Sequence, residues 1–126
     1  MPSSNRLTLS LTLLLFAALP SAHADGSAAN GNKVYQEECS DCHSVTAGKN
    51  KKGPTLFGVV GRASASVPEF KYSDAMKAAG KTWTAEALDE YIRAPKQTVK
   101  GGKMKYDGLD DAAARADIIA FLQTLR

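Results

Sequence analysis

The sequence predicts an all-α domain with about three main helices, one short helix and long connecting loops. The C-terminal segment is the clearest helix, because its apolar residues recur at helical spacing: Ala114, Ile118, Phe121, Leu122 and Leu125. No segment shows the alternation of apolar and polar residues that is typical of a half-buried strand. The stretch 44–70 is predicted to be loop, since it holds four glycines and two prolines. The 126 residues are enough for one domain.

The first helix is predicted over residues 28–42, where Gly31 and Tyr35 lie four apart on one face. A glycine inside a helix costs about 1 kcal/mol relative to alanine. Gly31 therefore marks either a close approach by another backbone or a helix that begins only near this residue. The local pattern leaves both interpretations open.

Cap residues predict two helices in the middle of the chain. Ser73 is a candidate N-cap of a short helix, and Gly80 is its candidate C′ residue. Thr84 is the candidate N-cap of a longer helix, which is expected to stop before Pro95.

Residues 95–109 are predicted to form a lysine-rich loop, and the last helix to run from Asp110 to about Leu125. Inside the loop, a Gly-Gly-Lys sequence directly precedes Met104. Such a flexible approach allows the methionine side chain to be aimed at a target.

The first 24 residues are typical of a secretory signal peptide. A single cation, Arg6, precedes a mostly apolar run over residues 7–19, and Ala22-His23-Ala24 fits the small-x-small cleavage pattern. Cleavage after Ala24 would leave one domain over residues 25–126. Export through a signal peptide indicates a bacterial periplasm as the location. The alternative is an uncleaved membrane anchor, although the apolar run is shorter than the roughly 20 residues of a spanning helix.

The charge balance argues against nucleic acid as a partner. Removing residues 1–24 takes away Arg6 and no acidic residue, so 15 Lys and Arg remain against 13 Asp and Glu. Seven of the eleven lysines lie in two loops: Lys49, Lys51, Lys52, Lys96, Lys100, Lys103 and Lys105. These lysines either attract acidic protein partners or simply keep the loops solvated.

Five consecutive residues, Cys39-Ser40-Asp41-Cys42-His43, form the C-x-x-C-H signature of covalent c-type haem attachment. On a helical turn, residues three and four apart share one face. Both thiols can therefore form thioethers to one porphyrin, and the histidine can reach its iron. The alternatives are a redox dithiol, for which a βαβ context is expected, and half of a zinc site, which needs four ligands.

The iron position opposite His43 has four candidate ligands: water, histidine, lysine and methionine. The only other histidine, His23, lies in the segment expected to be removed. Met76 lies on a predicted helix among alanines, where filling the core is the simpler role. Met104 lies in a loop, and a thioether is a soft ligand that raises the reduction potential. Met104 is therefore the favoured ligand.

Residues 29–126 resemble the small soluble class I cytochromes c of bacteria and mitochondria. The motifs that carry the resemblance occur in family order: Gly31 and Tyr35, Cys39-x-x-Cys42-His43, Lys52-Gly53-Pro54-x-Leu56, Gly61-Arg62, Phe70-x-Tyr72-Ser73-Asp74-Ala75, Trp83-Thr84, Tyr91-Ile92-x-x-Pro95, Lys103-Met104 and Arg115-Ala116-Asp117-Ile118-Ile119-Ala120-Phe121-Leu122. The resemblance implies the small cytochrome c fold, with long loops wrapped around one covalently bound haem.

The resemblance also implies roles for individual residues. Cys39 and Cys42 would hold one haem c, and His43 and Met104 would ligate its iron. The carbonyl of Pro54 would accept a hydrogen bond from the second ring nitrogen of the histidine. A buried propionate would be held or balanced by Arg62, Tyr72 and Trp83. Tyr91 would lie near the methionine sulfur.

For the helices, the resemblance implies that Gly31 and Tyr35 pack against Ile118 and Phe121. This favours a close helix approach over a late start of the first helix.

Two departures from the family pattern concern the methionine side of the haem. Met76 stands where the family has an asparagine, which should alter the buried polar network beside Met104. Lys100-Gly101-Gly102 stands where relatives often have a proline and a hydroxyl residue. We therefore expect a looser loop, in which a lysine such as Lys103 replaces Met104 more easily at raised pH.

The function that the resemblance implies is one-electron transfer between redox proteins, not catalysis. An iron ligated on both sides fits a carrier, whereas a haem peroxidase or the haem subunit of a dehydrogenase would need an open iron position or a second catalytic domain. The expected partners are an oxidase, reductase or dehydrogenase with an acidic docking surface. We expect a monomer without stable membrane insertion.

Overall fold

The computed structural model describes Met1 and residues 25–126. Five helices follow one another along residues 25–126: α1 (Ala28–Glu38), α2 (Asp74–Ala78), α3 (Ala85–Arg93), α4 (Pro95–Thr98) and α5 (Ala112–Gln123). The β-type pairing in this range is a single isolated bridge between Ala63 and Thr82, so the all-α prediction is confirmed. Apart from Met1, the predicted signal peptide lies outside the described residues, and its cleavage stays a prediction.

The crossing of α1 and α5 forms the centre of the core. Gly31 permits the close approach, because a Cβ built there would lie 1.9 Å from the backbone oxygen of Asp117. The rings of Tyr35 and Phe121 lie 5.6 Å apart, and Ile118 in the same cluster is only 1% exposed. Since α1 begins at Ala28, the close-approach interpretation of Gly31 is confirmed.

Side-chain caps begin α2 and α3 where the sequence predicts them. The hydroxyls of Ser73 and Thr84 each accept a hydrogen bond at 3.1 Å from the backbone amide three residues further on. Gly80 has a φ of 60°, the left-handed conformation expected of a C′ residue. The end of α3 before Pro95 is also confirmed.

The prediction of loop over residues 95–109 is wrong at its start, where the short helix α4 lies. Pro95 is the first residue of α4, and proline is favoured at this position because its missing N–H has no partner within the first turn. Pro95 therefore both ends α3 and begins α4. Residues 99–111, which connect α4 to α5 and are named the Met104 segment, contain no helix and no strand.

A buried arginine joins α3, α5 and the end of the Met104 segment. Arg115 of α5 is 7% exposed, and its Nε donates to Asp89 Oδ1 of α3 at 2.7 Å. Its Nη1 donates to the carbonyls of Leu109 and Asp110 at 2.9 and 2.8 Å. The side chain thus holds the C-terminal end of the Met104 segment against the two helices.

No helix among residues 25–126 combines the length and the apolar character that crossing a bilayer demands.

Candidate haem site

The turn after α1 gathers the two cysteines and the histidine of the C-x-x-C-H motif. The amides of Cys42 and His43 donate to the carbonyl of Cys39 at 3.1 and 2.9 Å, so the three residues share one helical turn. Because α1 ends at Glu38, the predicted extension of this helix to residue 42 is wrong. The spacing argument is unaffected, since it requires only this single turn.

The environment of Cys39 disfavours a redox dithiol. Neither Cys39 nor Cys42 forms a disulfide within the described chain. Burial, with smaller contributions from Glu38 and Cys42, raises the pKa of the Cys39 thiol to about 11. A reactive dithiol depends on a lowered thiol pKa, because the thiolate is the attacking form.

The imidazole of His43 is oriented by the loop that follows the motif. Its Nδ1 lies 2.8 Å from the carbonyl oxygen of Pro54, the contact that the resemblance implies. A carbonyl can only accept, so this bond requires the proton on Nδ1 and leaves the lone pair on Nε2. Burial lowers the pKa of His43, which favours the neutral ring that metal ligation needs.

Gly53 is a site residue that the motifs contain but that the sequence does not single out. A Cβ built on Gly53 would lie 2.3 Å from Cε1 and 2.7 Å from Nδ1 of His43. The Gly53 amide also donates to the carbonyl of Cys42 at 2.8 Å. A side chain at this position would therefore displace the imidazole from Pro54.

Met104 lies beside Tyr91 of α3. The Tyr91 hydroxyl is 3.9 Å from the Met104 sulfur, so the implied proximity of these two side chains is present. Burial raises the pKa of Tyr91, which keeps its hydroxyl protonated and able to donate. A cavity of about 50 Å³ adjoins both side chains and is lined further by Pro95, Lys96, Val99, Gly101 and Gly102. The sulfur thus lies within reach of a polar group and next to a small cavity.

Arg62 has one guanidinium nitrogen without a partner. Its Nη1 donates to the carbonyl of Phe57 at 2.9 Å, and its Nη2 donates to that of Thr55 at 3.0 Å. Its Nε is buried and makes no hydrogen bond within the described chain. Burial lowers the pKa of the Arg62 guanidinium, because the group is removed from water and the described residues supply no carboxylate ion pair to it.

Trp83 joins the neighbourhood of Arg62 to that of Tyr91. Its amide donates to the Arg62 carbonyl at 2.9 Å, and its ring centroid lies 4.9 Å from that of Tyr91. Tyr72 accepts at its hydroxyl from the amide of Val67 at 3.1 Å. The arginine, the tryptophan and the tyrosine beside Met104 therefore form one continuous group.

The seven lysines of the two predicted lysine-rich loops are all exposed, and one of them, Lys96, lies in α4. Lys51 donates to the carbonyl of Ser40, within the C-x-x-C-H turn. Lys103 donates to the carbonyl of Lys71, and its ammonium lies 5.4 Å from the ring centroid of Phe70. Replacement of Met104 by Lys103 would have to break both contacts, and this exchange stays a prediction.

Met76 of α2 packs against the hydrophobic core as a half-buried residue. This position agrees with the core-filling role that the sequence favours over iron ligation.

The family model named Cytochrome c matches residues 28–126. The chain belongs to the cytochrome c family. Members of this family carry one covalently bound haem c, and in this cytochrome c the cysteines with the attachment spacing are Cys39 and Cys42.

Individual relatives and one solved structure agree with this assignment. The chain is 49% identical over 100 residues to "Cytochrome c-type cyt cy" of Rhodobacter capsulatus, a match that covers 79% of this chain but only 50% of that relative. It is 44% identical over 101 residues to cytochrome c2 of Rhodopila globiformis, with 80% of this chain and 95% of the relative covered. The structure of cytochrome cH from Methylobacterium extorquens is similar with a TM-score of 0.74 and 40% identity, over 79% of this chain and 99% of that one.

The described residues fit the haem c of the family. Arg62 Nε is a buried donor that lacks an acceptor, which suits the carboxylate of a propionate. The two thiols are free, and His43 presents an unprotonated Nε2 when Nδ1 donates to Pro54. These are the groups that covalent attachment and axial ligation require.

Proposed function

We propose that this cytochrome c is a periplasmic one-electron carrier whose haem iron is ligated by His43 and Met104. The observation that carries the proposal is that each of the two side chains lies against a polar group of the chain. His43 Nδ1 lies 2.8 Å from the Pro54 carbonyl oxygen, and the Met104 sulfur lies 3.9 Å from the Tyr91 hydroxyl. Contacts of this kind orient ligands and tune the iron that they bind.

A haem attached to Cys39 and Cys42 would accept and release one electron, and no bond of a substrate would be made or broken. The chain supplies the two ligands and the buried surroundings that set the potential. A thioether opposite an imidazole raises the reduction potential. A hydrogen bond donated to the thioether sulfur withdraws electron density from it and therefore also raises the reduction potential.

Arg62, Tyr72 and Trp83 are proposed to surround one propionate. Arg62 Nε is available to donate to it, while the other guanidinium nitrogens fix the side chain through Phe57 and Thr55. A buried carboxylate requires such a counter-charge, because desolvation of an unpaired ion is costly.

Redox proteins are the partners of an electron carrier, and we propose that those of this chain dock through acidic surfaces. The support is the exposure of all seven lysines in the two loops and the position of Lys51 against the C-x-x-C-H turn. Complementary charge speeds the encounter and makes it sensitive to salt. We place the protein in the periplasm because residues 1–24 have the pattern of a signal peptide.

The visible spectrum of the exported protein, oxidised and reduced, tests the proposed function. A carrier with both axial positions filled gives sharp low-spin bands that carbon monoxide does not change. Binding of carbon monoxide would contradict the carrier and indicate an open, catalytic iron. Replacement of Met104 by alanine should create that open position, which makes this variant the matched positive control.

A further inference from the structure

A hydrogen bond joins the Met104 segment to the residue that precedes the first cysteine. The Tyr106 hydroxyl donates to Oε2 of Glu38 at 2.7 Å, across 68 positions of sequence. Tyr106 follows Met104 by two residues, and Glu38 is the last residue of α1, immediately before Cys39. The bond therefore links the chain beside one proposed iron ligand to the chain that carries the other.

The two ends of this bond differ in how firmly they are held. Glu38 belongs to α1, which is held by its crossing with α5, where Gly31 packs against the backbone of Asp117. The Met104 segment has neither helix nor strand, and it approaches the methionine through Gly101, whose φ is 85°. A segment of this kind opens readily unless side-chain contacts hold it.

Besides the exposed ion pair of Lys96 with Asp107 and the bonds of Arg115 at its C-terminal end, the Met104 segment has two polar contacts near the methionine itself. The Tyr91 contact is long for a hydrogen bond even to sulfur, and a cavity lies beside it. Lys103 bonds to a backbone carbonyl at an exposed position. The bond of Tyr106 to Glu38 is also exposed, but it is 2.7 Å long and has a charged acceptor, and charge-assisted hydrogen bonds are stronger than neutral ones.

We propose that Tyr106 is a positioning residue that seats Met104 by tying its segment to Glu38. The tyrosine does not touch the iron in this role and acts through the backbone that it shares with the methionine. This role rests on the proposed ligation by His43 and Met104. It gives a function to the acidic residue that directly precedes the first cysteine.

Competition for the iron tests the proposal in the ferric holoprotein. Imidazole binds only when Met104 leaves, so its binding constant reports how firmly the methionine is seated. Tyr106→Phe and Glu38→Ala should each raise the imidazole affinity about fivefold, which corresponds to about 1 kcal/mol. The double variant should gain no more than either single variant, because both remove the same bond. Amide hydrogen exchange of residues 104–107 should accelerate in all three.

Two control variants separate positioning from general effects. Glu37→Ala removes the same charge one residue earlier, where the described chain records no ion pair or hydrogen bond to the side chain. Ile119→Val loosens the core away from this bond. Both should leave the imidazole affinity unchanged.

Two results would overturn the inference. If unmutated protein shows methionine ligation but the Tyr106 and Glu38 variants bind imidazole as it does, or show additive effects, the positioning role is wrong while the proposed function stands. If the unmutated protein shows no methionine ligation, the proposed function is wrong, and the positioning role is wrong with it.

Discussion

The Nδ1 atom of His43 and the carbonyl oxygen of Pro54 lie 2.8 Å apart, and the backbone of Gly53 maintains this arrangement. A Cβ at residue 53 would lie 2.3 Å from His43 Cε1. The imidazole is thus confined between a bond on one edge and a backbone that cannot carry a side chain. The orientation of the proposed ligand depends on the residue before Pro54 as much as on Pro54 itself.

Gly53→Ala should therefore impair the histidine side of the haem. We expect a lower yield of holoprotein and a loss of low-spin bands, because the methyl group pushes the ring from Pro54. The visible spectrum measures this effect. Gly48→Ala is the matched control, since Gly48 has a φ of 72° and no atom within 4 Å of a built Cβ. It should cost about 1 kcal/mol through backbone strain and keep the spectrum. Equal spectra for both variants would contradict the steric argument.

Tyr91→Phe should lower the reduction potential. Without the donor hydroxyl at 3.9 Å, the thioether gives more electron density to the iron and favours the ferric form. A weak hydrogen bond of about 0.5–1 kcal/mol corresponds to a shift of about 20–40 mV for one electron. Voltammetry of the purified protein gives the number. A potential that stays the same or rises would show that the hydroxyl does not act on the sulfur.

Replacement of Arg62 separates the effect of its charge from that of its hydrogen bonds. Arg62→Lys keeps a cation but loses the planar fork that donates to the carbonyls of Phe57 and Thr55 and is proposed to face a propionate, so the free energy of unfolding should fall by about 2 kcal/mol. Arg62→Gln should reduce the free energy of unfolding by a similar amount. It should also lower the reduction potential by about 40 mV, because the added electron loses a favourable interaction with the cation of about 1 kcal/mol. Denaturant unfolding and voltammetry are the two measurements. Equal potentials for the two variants would remove the argument for a charge facing the haem.

Reversal of lysine charges should weaken the encounter with anionic redox partners. The triple change of Lys49, Lys52 and Lys103 to Glu should lower the oxidation rate by hexacyanoferrate(III) and flatten its dependence on ionic strength. The matched control reverses Lys33, Lys77 and Lys81, which lie outside the two lysine-rich loops and change the net charge equally. Similar ionic-strength slopes for the two triple variants would refute docking through the loops.

Asp89→Asn should destabilise the fold without altering the haem site. The change removes the carboxylate charge that pairs with the buried Arg115 and leaves the arginine with neutral acceptors only, the side-chain amide oxygen and the two backbone carbonyls. Because the Asp89 side chain is 45% exposed, we expect a loss of only about 1–2 kcal/mol in the free energy of unfolding. Denaturant unfolding gives the stability, and an altered visible spectrum would contradict this purely structural role.

Local patterns predicted the helix ends well where a side chain caps the backbone. Ser73 and Thr84 begin α2 and α3 as expected, because a cap depends on residues only three positions away. The same local reasoning extended α1 to residue 42 and missed α4. In both places the backbone forms single turns with helix-like hydrogen bonds, and the sequence pattern alone does not show whether such a turn belongs to a helix.

The sequence by itself determined what rests on residues close along the chain. The spacing of Cys39, Cys42 and His43 predicts one shared helical turn, and the resemblance of their flanking motifs predicts Met104 and Pro54. Only the tertiary structure decided what rests on distant segments. It showed that Gly53 leaves space for an imidazole ten residues earlier, that Arg62 keeps one buried donor free, and that Tyr106 bonds to Glu38 across 68 positions. Such contacts depend on how α1, the loops and the Met104 segment pack together, which local propensity and spacing do not specify.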